Sequence, residues 1–365
     1  MYAKNLQKKV IVKSVDSNNM SNWQITYTID TLTTVNNKFD ILDKLNYLIN
    51  NGIDRKNIFV TDKSFLISTN YKTYYSKGNV IGKNGAKIIK AANLGRLITM
   101  EYNEEIVRIN CLFEYYKRIN SIISNALNIR LRHCFLEDAF REIFISDIGD
   151  ACMKLCDGAI QQIYDLFERQ LKPNYERREK IINQIINSYK KDFSKLLQKS
   201  EKNGADCSKK FEYCFNRFDR PVVGVYNDRE KCFEILNADQ MYKNGEESIN
   251  RIRLFNISKN SPVEMIFGVT GIMLSAFSYL AHRDNVVSNE EVMRNMGDVP
   301  QNSSEAINNI FSNEGGEIFA LNETNEKVDD VVARLAEKNL DKLDQITDNR
   351  KVKVYINATI EQYVE

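Results

Sequence analysis

Gly82 and Gly85 bracket a Lys83–Asn84 pair. Val80 and Ile81 lead in, and a helix-like run carrying Lys87, Ile88 and Lys90 follows. Glycines at this spacing let a backbone turn sharply, so bare amides and one lysine can approach a phosphate. A nucleotide-binding P-loop is excluded at the same place. Between Gly78 and Lys83 the glycines are one residue too close, and Asn84 stands where a Ser or Thr would hold Mg²⁺.

Other clusters offer less. His133 and Glu137 share one helix face, with Asp138, Glu142, Asp147 and Asp150 nearby. A di-iron bundle needs two Glu-x-x-His motifs, and the second histidine of the chain, His282, lies in a different context. These acids therefore read as a solvated helix face with His133 partly buried. His282-Arg283-Asp284 echoes a kinase catalytic loop, but the glycine-rich lid, the strand lysine and the Asp-Phe-Gly are missing. Two histidines support no Ser/His/Asp set. Carboxylates alone can catalyse, but no spacing picks a pair. The reading is therefore non-catalytic, with no metal and no cofactor.

The bulk properties set limits. A chain of 365 residues can bury a sizeable core and has room for about two to three domains. Its net charge of +2 gives no global basic field, so any nucleic-acid surface must be local. The seven cysteines are odd in number and lack zinc-knuckle spacing. Reduced, mostly buried thiols are expected. Residues 1–13 hold no apolar core of signal-peptide length, which points to a cytoplasmic protein.

Elements that would position the loop follow from periodicity. Residues 10–15 and 23–33 alternate as strands, and 39–49 is a helix stopped at Asn50-Asn51-Gly52. Short strands are expected at 57–60, 64–68, 97–102 and 105–110, with helices at 86–94 and 112–127. Helical patterns over 135–171 and 173–197 suggest a long hairpin whose second member has a basic face, including Arg177, Lys180, Lys190 and Lys191. Strands at 211–218, 222–226, 233–237 and 252–257 suggest a small antiparallel unit. Ser261-Pro262-Val263-Glu264 is a helix-start pattern ahead of seventeen uncharged residues, 265–281. Helices at 289–296, 304–311 and 326–346 and a strand at 352–356 close the chain.

Gly82-Lys83-Asn84-Gly85, flanked by Ile81 and Ile88, resembles the signature loop of K-homology (KH) domains. Over residues 64–128 the order strand, loop, helix, strand, strand, helix is similar to the eukaryotic-type arrangement, with 106–111 in the place of the third strand. Residues 69–79 show no first helix. In that family the GxxG loop clamps the backbone of a single strand of about four nucleotides beside an apolar groove. The resemblance implies that Gly82 and Gly85 permit close approach, Lys83 pairs with phosphate and Asn84 adds a hydrogen bond. Ile81 and Ile88 would line or support the groove, and Lys87 and Lys90 would add to the basic side.

The fold class expected is α+β. Its parts are an N-terminal α/β unit (1–63), a KH-like unit (64–130), a helical hairpin (131–202), a small β unit (203–260) and a helical C-terminal region (261–365). The function expected is binding of single-stranded RNA or DNA. One alternative is an effector or defence-type protein that self-assembles, docks a protein partner or acts at a membrane through the apolar helix 265–281. Another is a scaffold for protein partners.

Overall fold

The computed structural model describes residues 8–14, 20–64, 80–169, 174–204, 206–236, 253–258, 262–269, 328–350 and 352–357, together with Met273, Ala276, Phe277 and Leu280. The class is α+β, with two antiparallel sheets. In place of the five expected parts, the chain divides into two compact units, Met1–Ile53 with Asp239–Glu365, and Asp54–Ala238.

The first unit holds β1 (Lys8–Ser14), α1 (Asn22–Asn50), β7 (Arg253–Ser258), β8 (Glu264–Val269), α8 (Asp330–Arg350) and β9 (Val352–Asn357). Its sheet runs β7-β8-β1-β9, and α1 packs against α8. The strand expected at 23–33 is instead the first half of α1. Ser21 and Gln24 form a capping box: Gln24 N donates to Ser21 Oγ at 3.2 Å, and Ser21 N donates to Gln24 Oε1 at 2.8 Å. Thr26, Thr28, Thr31 and Thr33 each donate a hydroxyl to the carbonyl four residues back. Those bonds satisfy β-branched residues inside a helix. Ile25, Thr28, Leu32, Val35, Phe39 and Leu42 are all buried, a continuous three-and-four stripe in which Thr28 takes an apolar place.

The helix start expected at 261–264 is also overturned, because Glu264 opens β8. β8 pairs antiparallel with β1, and Lys13 lies opposite Glu264 with their charged atoms 3.4 Å apart. Ser14 N donates to the Val263 carbonyl and Val263 N to Ser14 Oγ, both at 3.0 Å. A strand with a waiting partner outcompetes a local capping pattern. The apolar stretch therefore begins as a strand, while Met273, Ala276, Phe277 and Leu280 are helical and buried. Among the described residues no helix is long and apolar enough to cross a membrane. The helices expected at 289–296 and 304–311 lie outside the described residues.

The second unit holds β2 (Ile58–Ser64), β3 (Val80–Ile81), α2 (Gly85–Asn93), β4 (Leu97–Thr99), α3 (Glu104–Leu127), α4 (His133–Glu142), α5 (Ile148–Glu168), α6 (Tyr175–Gly204), α7 (Cys207–Arg217), β5 (Pro221–Asn227) and β6 (Cys232–Ile235). Its sheet runs β3-β6-β5-β2-β4, so β5 and β6 sit beside β2 and form no separate β unit. The strand expected at 211–218 is α7: Cys207, Phe211, Cys214 and Phe215 are buried at helical spacing. The strand expected at 105–110 is the start of α3. There Asn103 Oδ1 caps Ile106 N at 3.1 Å, and Glu104 and Glu105 occupy the positive end of the helix. Consequently the third strand of the KH arrangement is a helix here, and β3 and β4 are not neighbours.

Candidate nucleic-acid interface

Each glycine of the 82–85 loop has a separate structural cause. Gly82 has φ +102°, a left-handed conformation that side chains resist. Gly85 has no such conformation but is closely packed against a neighbouring helix. A Cβ there would lie 3.0 Å from the His133 carbonyl and 3.1 Å from Glu137 Oε2, both on α4. The loop therefore bends at its first glycine and lets a neighbouring helix approach at its second.

Long-range contacts bring α4 to this position. Gln162 on α5 brackets the α3–α4 connection, accepting from Arg132 N at 2.8 Å and donating to the Arg130 carbonyl at 2.9 Å. Asn120 on α3 accepts from Leu131 N at 3.0 Å. These bonds hold the start of α4 in place, and Glu137 follows one turn later. Glu137 Oε2 accepts the Gly85 N–H at 3.0 Å, and its other oxygen pairs with Arg141. His133 itself is exposed and Glu137 half-buried, so the acid rather than the histidine reaches inward.

The opposite side of the loop rests on the β5–β6 hairpin. β3 pairs with β6, placing Val80 opposite Glu234 and Ile81 opposite Phe233. Asn227 Oδ1 accepts from Arg229 N and Glu230 N, at 3.1 and 3.0 Å, which turns the chain between β5 and β6. Glu105 anchors that turn. It accepts from Tyr226 Oη at 2.8 Å and from Lys231 Nζ at 2.6 Å. Burial, reinforced by Glu105, pushes the Tyr226 phenol well above its usual range. The anchored turn presents Glu230, which forms an ion pair with Lys83. That hydrogen bond raises the Lys83 ammonium above its ordinary value and holds the Glu230 carboxyl below its own.

The residues expected at the site are distributed as follows. Lys83 and Asn84 are exposed at the tip, while Gly82 and Gly85 are buried. The Asn84 side chain is engaged as the N-cap of α2, accepting from Lys87 N at 2.9 Å. Ile81 and Ile88 are enclosed in the interior at 0% and 2% exposure, where they support the loop from below. Lys87 and Lys90 are half-buried on α2. Sequence reasoning placed Glu137 beside His133 rather than at the loop, and it missed Glu230. Glu137 lies 52 positions from Gly85, and no spacing signal links residues that only the folded unit brings together.

The cysteines are not joined in disulfides. All seven are thiols, and among the described residues no His/Cys/Asp/Glu group could hold a metal ion. Burial pushes the Cys156, Cys207, Cys214 and Cys232 thiols up, which makes them poor nucleophiles. No protein-family model, curated protein or solved structure matches this chain.

Proposed function

We propose that the Asp54–Ala238 unit binds the phosphate backbone of single-stranded nucleic acid, without catalysis, at the 82–85 loop. One observation carries the reading. The loop's ammonium and the first amide of α2 each already hold a carboxylate oxygen, from Glu230 and Glu137. Donors arranged to hold two internal anions are suited to phosphate oxygens, since both are oxyanions seeking N–H groups at a helix start. The internal carboxylates then act as competitors that a strand must displace.

The test is fluorescence anisotropy of a labelled oligouridylate with the full chain at several salt concentrations. Lys83→Asp combined with Asn84→Asp is expected to weaken binding by about tenfold and to flatten the salt dependence by about one unit of slope. Aspartate keeps the cap on α2, so the melting temperature should hold. No binding by the wild-type chain, or an unchanged affinity in the variant, overturns the reading.

Competition also gives a pH dependence with a definite sign. Because Lys83 lowers the Glu230 carboxyl, their pair is intact above the ordinary glutamate range and is lost as pH falls through the lowered value. Affinity for the oligonucleotide should therefore rise on acidification, as Lys83 is released. Glu230→Gln should bind more tightly than wild type at pH 7 and show less of that rise. Weaker binding by Glu230→Gln would mean that Glu230 organises the loop rather than blocking it.

A further inference from the structure

The Asp54–Ala238 unit contains a second surface, where cations gather. α3 and α6 pack together, and an open groove of about 740 Å³ runs between them. Arg118, Arg177, Lys180 and Lys191 line it, and among the described residues no carboxylate does. Neither Lys180 nor Lys191 takes part in an ion pair among those residues. Arg177 donates to the Ala126 carbonyl at 2.5 Å, so the start of α6 is tied to the end of α3. A cation at a helix C-terminus is favoured there. From Arg177 to Lys191 the lining face of α6 rises by about 21 Å at 1.5 Å per residue.

A buried hydroxyl supplies an independent sign of an absent partner. Ser188 lines the groove at 5% exposure, and its Oγ is buried with no hydrogen-bond partner among the described residues. Such a group is uncommon in a folded protein and costs stability until something bonds it.

We infer that this groove is a track for the sugar-phosphate backbone of a single strand. The inference rests on the reading that the unit binds single strands, and it adds a contact surface that the 82–85 loop does not contain. The four cations suit phosphates along an extended path. Asn125, Gln184 and Asn187 offer neutral donors and acceptors, and Ile122 and Ile181 give an apolar floor. A bare polyphosphate has no use for either, whereas a nucleotide strand brings base edges and sugar faces as well as charge. Among the described residues the lining has no aromatic ring, so the groove would follow the backbone with little base preference.

The same anisotropy titration separates this groove from the loop. Lys180→Glu with Lys191→Glu changes two exposed side chains and should weaken oligouridylate binding at least tenfold, with the salt slope falling by about two. Ser188→Ala removes an unpartnered hydroxyl. It should leave the melting temperature equal or higher while lowering affinity a few-fold, a combination that a purely structural role would not produce. If wild type binds and the loop variant is impaired but the groove variants are not, the groove inference fails and the loop reading stands. If only the groove variants are impaired, the loop reading fails and the groove inference stands. No binding by wild type ends both. Inorganic tripolyphosphate displacing the oligonucleotide at equal phosphate concentration would also overturn the single-strand assignment, because the amides and the apolar floor would then contribute nothing.

Discussion

Replacing Asn110 with Leu is expected to lower the unfolding free energy by about 3 kcal/mol, a large loss for a change that adds apolar surface to the interior. The reason is the edge of the second sheet. β4 is the last strand of the sheet among the described residues, and its outer side at Leu97 is met by the Asn110 amide on α3. Asn110 Oδ1 accepts from Leu97 N at 2.9 Å, and Nδ2 donates to the Leu97 carbonyl at 2.8 Å, so one side chain completes both bonds that a further strand would make. Asn110 is only 6% exposed, so water does not replace it. Removing it leaves a buried donor and a buried acceptor unmet, each costing roughly 1–3 kcal/mol.

Asn110→Asp provides the control. An ionised aspartate keeps the acceptor for Leu97 N but sets a second oxygen against the Leu97 carbonyl. Protonation restores a donor, so the deficit of this variant should shrink as pH falls and grow as pH rises. Chemical denaturation followed by circular dichroism measures the loss, and hydrogen exchange at the Leu97 amide reads the bond directly. A cost below about 1 kcal/mol for Asn110→Leu would show that the strand edge is solvated after all.

The second large effect is expected at Gly224, in the middle of β5. Alanine is ordinarily the better residue in a regular element, by roughly 0.5–1 kcal/mol. Here Gly224→Ala should instead destabilise by about 2–3 kcal/mol, because the site is already full. An added Cβ would lie 2.6 Å from the Glu234 carbonyl oxygen on β6 and 2.6 Å from Phe59 Cζ on β2. The Phe59 ring is fully buried and meets Phe233 edge-on at 5.6 Å, so it has no slack to give. The carbonyl belongs to the β5–β6 ladder and cannot retreat without opening it. Adding Phe59→Leu should recover only part of the loss, since the backbone contact remains. Complete recovery would assign the whole effect to the ring.

The first of these positions shows where sequence periodicity stops being informative. Asn110 looks like the polar half of an alternating strand at 105–110, but it is a buried residue on a helix serving a strand nearby. Residues 23–33 alternate just as well, yet the Ser21 capping box and four threonine back-bonds make them helical. Residues 264–269 follow on the helix-start pattern at 261–264 and become a strand because β1 offers a partner. In each case two local conformations fit the alternating or capping pattern about equally. Hydrogen bonds within a turn decide at 23–33, and contacts more distant in sequence decide at 105–110 and 264–269.

Elements that satisfy their own hydrogen bonds, or whose apolar spacing is unambiguous, were legible in the chain. These include β1, the second half of α1, α2, the apolar stripe of α6, α8 and β9. The glycines of the 82–85 loop were legible too, as was the exposed Lys83–Asn84 tip between them. Tertiary structure alone decided what surrounds that tip. Glu137 arrives on a helix held by Gln162 and Asn120, and Glu230 on a hairpin held by Glu105. The α3–α6 groove exists only once the two helices lie side by side. Turns and helix periods are set by residues within a few positions of one another, so the sequence records them. Which carboxylate meets which amide depends on contacts between distant residues, and these form only when the unit folds.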